Sequence, residues 1–165
     1  MKYFSAGNSI RDQIQKTLLE GASVMKYDKP FIAGLIGIAM SIPVEIYTQI
    51  LKYFGLNQLS AFEMNSIITF TQGNWWIGLL AIPGVTFLGG LLVYEMGRYL
   101  GIDYLPLKGA FVGYITYGVT AAIFGNLGRS PIYEELTVSG HYVHASAGFL
   151  AGLLGGYLIK KYVLK

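Results

Sequence analysis

The chain has 165 residues, of which 53% are hydrophobic and only 13% charged, with a mean hydropathy of +0.49 and a formal net charge of +3. A soluble domain of this size carries about a quarter of its residues as charged groups, so the composition excludes a solvated globular domain and points to a chain held in a bilayer. No cysteine is present, which excludes disulfides, thiolate metal sites and cysteine nucleophiles.

Residues 1–29 carry eight charges and read as a cytoplasmic amphipathic segment. Asn8 or Ser9 caps a helix reaching Lys26, in which Ile10, Ile14 and Leu18 fall near one face while Arg11, Asp12, Lys16 and Glu20 fall on others. Basic and adjacent to an apolar run, it is expected to lie on the membrane surface, with docking to a soluble partner as the other reading. So charged a beginning does not match a cleavable signal, and the first apolar run is expected to remain as a span.

Residues 30–165 form the expected transmembrane domain, with spans at about 31–53, 75–97, 107–127 and 142–159. Each is near the ~20 residues needed to cross a ~30 Å hydrocarbon core. The fold class is therefore all-α: a polytopic membrane protein with four transmembrane helices plus an N-terminal amphipathic interfacial helix. Span one places Ala33, Gly37 and Ser41 at four-residue spacing, which lets helix backbones approach closely, and then carries Pro43, Glu45 and Lys52. After it, Ser60-Ala-Phe-Glu63 has the form of a capping box and predicts a short helix on the outer face. Trp75 and Trp76 stand where an interfacial aromatic belt belongs.

Span two contains Pro83, Gly84 and Gly89-Gly90, and ends in Glu95 and Arg98, whose i,i+3 spacing suits a boundary ion pair. A short turn, Gly101–Pro106, makes spans two and three antiparallel neighbours. Span three repeats small residues at Gly109, Gly113, Gly118 and Ala122. Between them, Tyr114, Thr116, Tyr117 and Thr120 either line a polar lane or bond to neighbouring helices. Span four has the densest ladder, Gly148, Gly152 and Gly156, with Ala147, Ala151 and Gly155 beside it. Glycine disfavours helix by roughly 0.5–1 kcal/mol per residue in soluble hosts, so these ladders imply a close packing partner.

Ten of the twelve basic residues fall before span one, between spans two and three, or after span four; only Lys52 and Arg129 fall on the other side. By the positive-inside rule both termini are cytoplasmic. The basic pI then reflects topology and some attraction to anionic lipid. It does not point to a nucleic-acid partner.

Three polar residues are candidates for a polar or proton site. Glu45 falls about 21 Å along span one, at ~1.5 Å per residue, and a carboxyl at that depth is costly. Either it serves a proton or solute path, or it faces the bundle, hydrogen-bonds to Tyr47, a threonine or a histidine, and sets helix register. His141 and His144, the only histidines, share a face at the outer end of span four. They are interfacial residues, a proton or anion site, or part of a metal or haem site completed by Glu134 or Glu135. No complete ligand set accompanies them, so no cofactor is expected. No nucleotide, hydrolase or zinc-protease motif occurs on a matching scaffold, and no enzyme activity is expected.

Gly34-Leu-Ile-Gly37 followed by Ser41-Ile-Pro43-Val-Glu45, then Lys108-Gly109-x3-Gly113 and Ser139-Gly-His141 with Gly148 and Gly152, resemble the small four-span bacterial inner-membrane proteins of the YagU type. The resemblance covers spans one, three and four; the loop between spans one and two is much shorter here. It implies a four-span architecture and a link to acid tolerance, and supplies no catalytic residue. The expected function is a structural or accessory subunit that packs through glycine-rich faces against itself or a larger membrane complex. The alternative is an oligomeric transporter or channel-like protein with a path near Glu45, His141 and His144. A second alternative is a cofactor-binding electron-transfer subunit.

Overall fold

The computed structural model describes residues 28–66, 71, 73–126 and 136–165, and of 124–126 only the backbone. The amphipathic helix expected at Asn8–Lys26 lies outside these residues, as do Arg129, Glu134 and Glu135. Five helices and no strand are found among the described residues: α1 (Lys29–Tyr53), α2 (Ala61–Asn65), α3 (Trp75–Leu100), α4 (Leu105–Asn126) and α5 (Val138–Tyr162). Of these, α1, α3 and α5 are long and apolar enough to cross a membrane.

Local chemistry sets the helix ends. The Asp28 carboxylate accepts the Phe31 N–H at 3.2 Å, and Pro30 occupies the first turn of α1, where a missing N–H costs little. Asn74 caps α3 by accepting the Ile77 N–H at 3.1 Å. Gly101, at φ 80°, ends it three residues past the expected 97, in a conformation that favours glycine. Thr137 accepts the Gly140 N–H at 3.3 Å, and α5 therefore begins four residues ahead of the expected 142.

Two antiparallel helix pairs form the bundle. In one, Gly37 of α1 lies against the Thr86 carbonyl of α3, and Gly90 of α3 lies against the Ala33 carbonyl. In the other, Gly109 and Gly113 of α4 face Gly152 and Gly148 of α5, with Gly156 against the backbone of Leu105 and Pro106. A Cβ added at any of these positions would press into backbone atoms well inside van der Waals contact. The ladders thus allow backbone-to-backbone packing within the chain. The pairs meet where the Tyr47 hydroxyl of α1 is 3.0 Å from the Ser146 hydroxyl of α5. Ala33, Val93, Tyr94, Leu105, Ile159 and Val163 form an apolar core at the end of the bundle where α1 begins and α5 ends.

The distribution of polarity is that of a membrane protein. Ile42, Ile46 and Ile50 on α1, Leu80, Leu88 and Leu92 on α3, and Phe111, Ile115 and Val119 on α4 are exposed, while Ser41, Glu45, Thr48 and His144 are buried. In water such an apolar exterior would drive association; in lipid it is solvated. Lys29, Arg98, Lys108, Lys160 and Lys161 gather at the end that holds both described termini. There Arg98 pairs with Glu95 at 3.1 Å, and Lys108 donates to the Leu100 and Gly101 carbonyls at 2.7 and 2.8 Å, tying down the turn between α3 and α4.

Candidate functional site

The far end of the bundle is built around α2. The predicted capping box is present: the Ser60 hydroxyl accepts the Glu63 N–H at 3.3 Å, and the Glu63 carboxylate accepts the Ser60 N–H at 2.7 Å. The helix is tucked into the bundle, because α1 supplies the two remaining acceptors. Thr48 accepts the Ala61 N–H at 2.8 Å and Glu45 accepts the Phe62 N–H at 2.8 Å. Each of the four backbone donors opening α2 therefore ends on a side-chain oxygen, and a short helix can be buried without orphaned N–H groups. Ala61, Phe62 and Met64 are buried accordingly, and the Phe62 carbonyl seats against Gly78 of α3.

Glu45 is 7% exposed and its carboxylate is fully engaged. Besides the Phe62 N–H on Oε2, its Oε1 accepts from Trp75 Nε1 at 2.7 Å and from Gln49 Nε2 at 2.8 Å. The carboxylate thus sits at the positive end of a helix with three donors. Tyr47, a partner suggested by proximity in sequence, bonds Ser146 instead. Lys52 does not reach Glu45; its ammonium pairs with Glu63 at 2.6 Å. Trp75 and Trp76 divide between two environments. Trp76 is 71% exposed, while Trp75 turns inward to Glu45 with its ring 5.3 Å from Phe62.

His141 and His144 are linked by Tyr117 of α4. The Tyr117 hydroxyl is 2.7 Å from His141 Nδ1, and its ring stacks on His144 with centroids 6.1 Å apart and planes 18° apart. His144 is 6% exposed and its buried Nε2 has no hydrogen-bond partner. Glu45 holds the segment that opens α2, and no hydrogen bond joins it to His144. Among the described residues, no three His, Asp or Glu side chains are grouped to hold a metal ion.

Between the two helix pairs, and beneath α2, lies a cavity of about 190 Å³. Ala61, Met64 and Asn65 of α2 form part of its wall, as do Tyr117 and His144. The packing glycines Gly37, Gly109, Gly113, Gly148 and Gly152 form another part, because close backbones without side chains leave space beside the contact line. Neither Glu45 nor His141 lines it. No family, curated protein or solved structure matches the chain. The reading of the site rests on its own geometry.

The candidates read from sequence therefore separate into an anchor, Glu45, and a cavity-wall group, His144, with His141 held behind Tyr117. Sequence reasoning missed Asn65, Trp75 and the Leu59–Phe62 segment as neighbours of these residues. The capping box was the one available signal: its burial requires acceptors from elsewhere, and Glu45 and Thr48 are the nearest polar groups on the preceding helix.

Proposed function

We propose that the chain is a four-span integral membrane protein, both termini cytoplasmic, that holds a small solute in the cavity between its two helix pairs and acts as a carrier for it. The cavity is the observation that carries this reading: about 190 Å³ of space inside a bundle whose helices otherwise meet backbone to backbone. α4 is the fourth span, since it runs antiparallel to α5 along the glycine contacts and turns Phe111, Ile115 and Val119 outward. The orientation is supported by the gathering of lysines at one end and by the pairing of Lys52 with Glu63 at the other.

Counterflow in proteoliposomes tests the reading. A panel of small neutral solutes is expected to include one whose exchange saturates and is abolished by Gly155→Leu. Gly155 lines the cavity, and a Cβ there meets only Met40 Cγ, at 3.6 Å. Absence of saturable exchange for every solute of fitting size would sink the carrier role.

A second reading, assembly with another copy or a larger complex, retains one specific support. Gly118 on α4 has open space where a side chain would stand, unlike the glycines used between helices of the chain. Gly118→Leu is then expected to alter the oligomeric state in mild detergent, and an unchanged state would remove that support.

A further inference from the structure

The cavity is long and narrow. Its wall runs from Ile82 to Val93 along α3 and from Gly109 to Thr120 along α4. Each stretch rises about 16 Å at ~1.5 Å per residue, and 190 Å³ spread over that length leaves a mean cross-section of about 12 Å². A compact apolar cavity of about 150 Å³ accepts a benzene ring. Space of that order drawn out over about three turns of helix suits one extended chain.

The two ends of this lane differ in chemistry. Towards the termini it is closed by Val93 and Ile159, both members of the buried apolar core. Beneath α2 its wall includes the amide of Asn65. That amide commits one proton to the Ala61 carbonyl at 2.8 Å, which leaves its second proton and Oδ1 for a ligand. Between the ends, the hydroxyls of Ser41, Thr86 and Thr116 donate to carbonyls of their own helices, those of Ile38, Ile82 and Val112, at 2.7, 2.9 and 2.7 Å. Each hydroxyl has one proton, so these offer no donor along the lane. Among the described residues, no Lys, Arg, Asp or Glu side chain stands on the wall. A charged group held there would lack a counter-ion, at high cost.

We propose that the cavity binds a single unbranched hydrocarbon chain ending in a neutral hydroxyl, with the tail directed towards Val93 and Ile159 and the hydroxyl on the Asn65 amide. The proposal rests on the reading of the bundle as a solute-holding membrane protein and names the class of solute. An extended chain with ~1.5 Å bonds advances about 1.3 Å per carbon, so the lane takes about twelve carbons. The hydroxyl both donates and accepts, as does the free part of the amide.

The test uses the full chain in nanodiscs of diphytanoylphosphatidylcholine, whose methyl-branched chains do not fit so narrow a lane. Methyl-¹³C methionine reports occupancy through Met40 and Met64, which line the cavity, and ¹⁵N-asparagine reports the Asn65 amide. The probes are 1-dodecanol, dodecane and cyclododecanol. Dodecanol is expected to shift both methionine signals and the Asn65 amide in a saturable manner. Dodecane should shift the methionines alone, and cyclododecanol, with the same carbons in a ring, should bind about tenfold more weakly. Asn65→Ala should weaken dodecanol about fivefold and leave dodecane unchanged. Gly155→Leu, and independently Gly89→Leu, where an added Cβ meets nothing within 4 Å, should abolish binding of both chains. Equal affinity for cyclododecanol would overturn the linear chain, and an unmoved Asn65 amide or equal affinity for dodecane would overturn the hydroxyl contact; each leaves the cavity reading intact. No saturable response to any probe would overturn both.

Discussion

Glu45 of α1 accepts the backbone N–H of Phe62, 17 residues further along the chain, at 2.8 Å. The carboxylate holds the start of α2 in the bundle, and the prediction follows from the donors it serves. Glu45→Gln keeps one carbonyl oxygen but removes the charge from three hydrogen bonds, and should cost about 2–3 kcal/mol, since hydrogen bonds to charged groups are worth about 1.5–3 kcal/mol each and a partial set survives. Glu45→Leu should cost more, because the Phe62 N–H and the Trp75 indole lose their acceptor. Thermal unfolding in detergent measures the cost, and Trp75 emission, in a Trp76→Phe background, reports release of the indole. Unchanged stability and emission in Glu45→Leu would sink the anchoring role.

The Lys52–Glu63 pair, at 2.6 Å, ties the same helix to the end of α1, but the two side chains are 34% and 16% exposed. Partial exposure limits its contribution, and a double-mutant cycle with Lys52→Met and Glu63→Gln should give a coupling of about 1 kcal/mol, falling with added salt. Glu63→Ala alone should cost more than Lys52→Met alone, because it also removes the acceptor of the Ser60 N–H, now at 2.7 Å. Equal single-mutant costs would show that the capping contact contributes nothing.

How far these relationships were legible in the sequence differs by the kind of partner involved. The apolar runs, the Ser60–Glu63 capping box and the Glu95–Arg98 pair are local patterns; the capping box and the ion pair are present, and each run is helical, three of the helices being long and apolar enough to cross a membrane. Glu45 was recognisable as an expensive residue, but its partner is a backbone N–H, and nothing about a phenylalanine at 62 announces that role. Trp75 and Trp76 are adjacent and chemically identical; one helix position decides that Trp75 meets Glu45 and Trp76 stays exposed. The glycine ladders show that something packs closely, yet the opposing groups are carbonyl oxygens of Gly109, Gly113, Gly148 and Gly152, which carry no side-chain signal. For the same reason the cavity was illegible: part of its wall consists of missing side chains.

The ladders of α5 contain two kinds of glycine, and alanine separates them. At Gly152 an added Cβ collides with the Gly109 carbonyl, so Gly152→Ala must push α4 and α5 apart and should cost about 1–3 kcal/mol, the range for overpacking. Gly155 is buried, but its nearest neighbour is Met40 Cγ at an ordinary 3.6 Å. Gly155→Ala should therefore be neutral or stabilise by up to about 0.5–1 kcal/mol through helix propensity. Denaturant titration of the two variants in matched micelles gives the comparison. Similar losses at both positions would mean that the close approach between α4 and α5 is not what Gly152 protects.

Tyr117 has two separable attachments, a hydroxyl 2.7 Å from His141 Nδ1 and a ring stacked on His144. Tyr117→Phe removes the first and keeps the second, so the two histidines should respond differently. Loss of one partly buried hydrogen bond should cost about 0.5–1.5 kcal/mol. The His141 Nδ1 resonance should move while that of His144 stays, because the ring that stacks on His144 is preserved. Tyr117→Leu removes both attachments and should disturb both resonances, with a larger loss of stability from the space left against Met64 and Leu136, which form one apolar cluster with Tyr117. If Tyr117→Phe instead moved the His144 signal and left His141 unchanged, the hydroxyl would serve the cavity and not the second histidine, and the division of roles between His141 and His144 would be reversed.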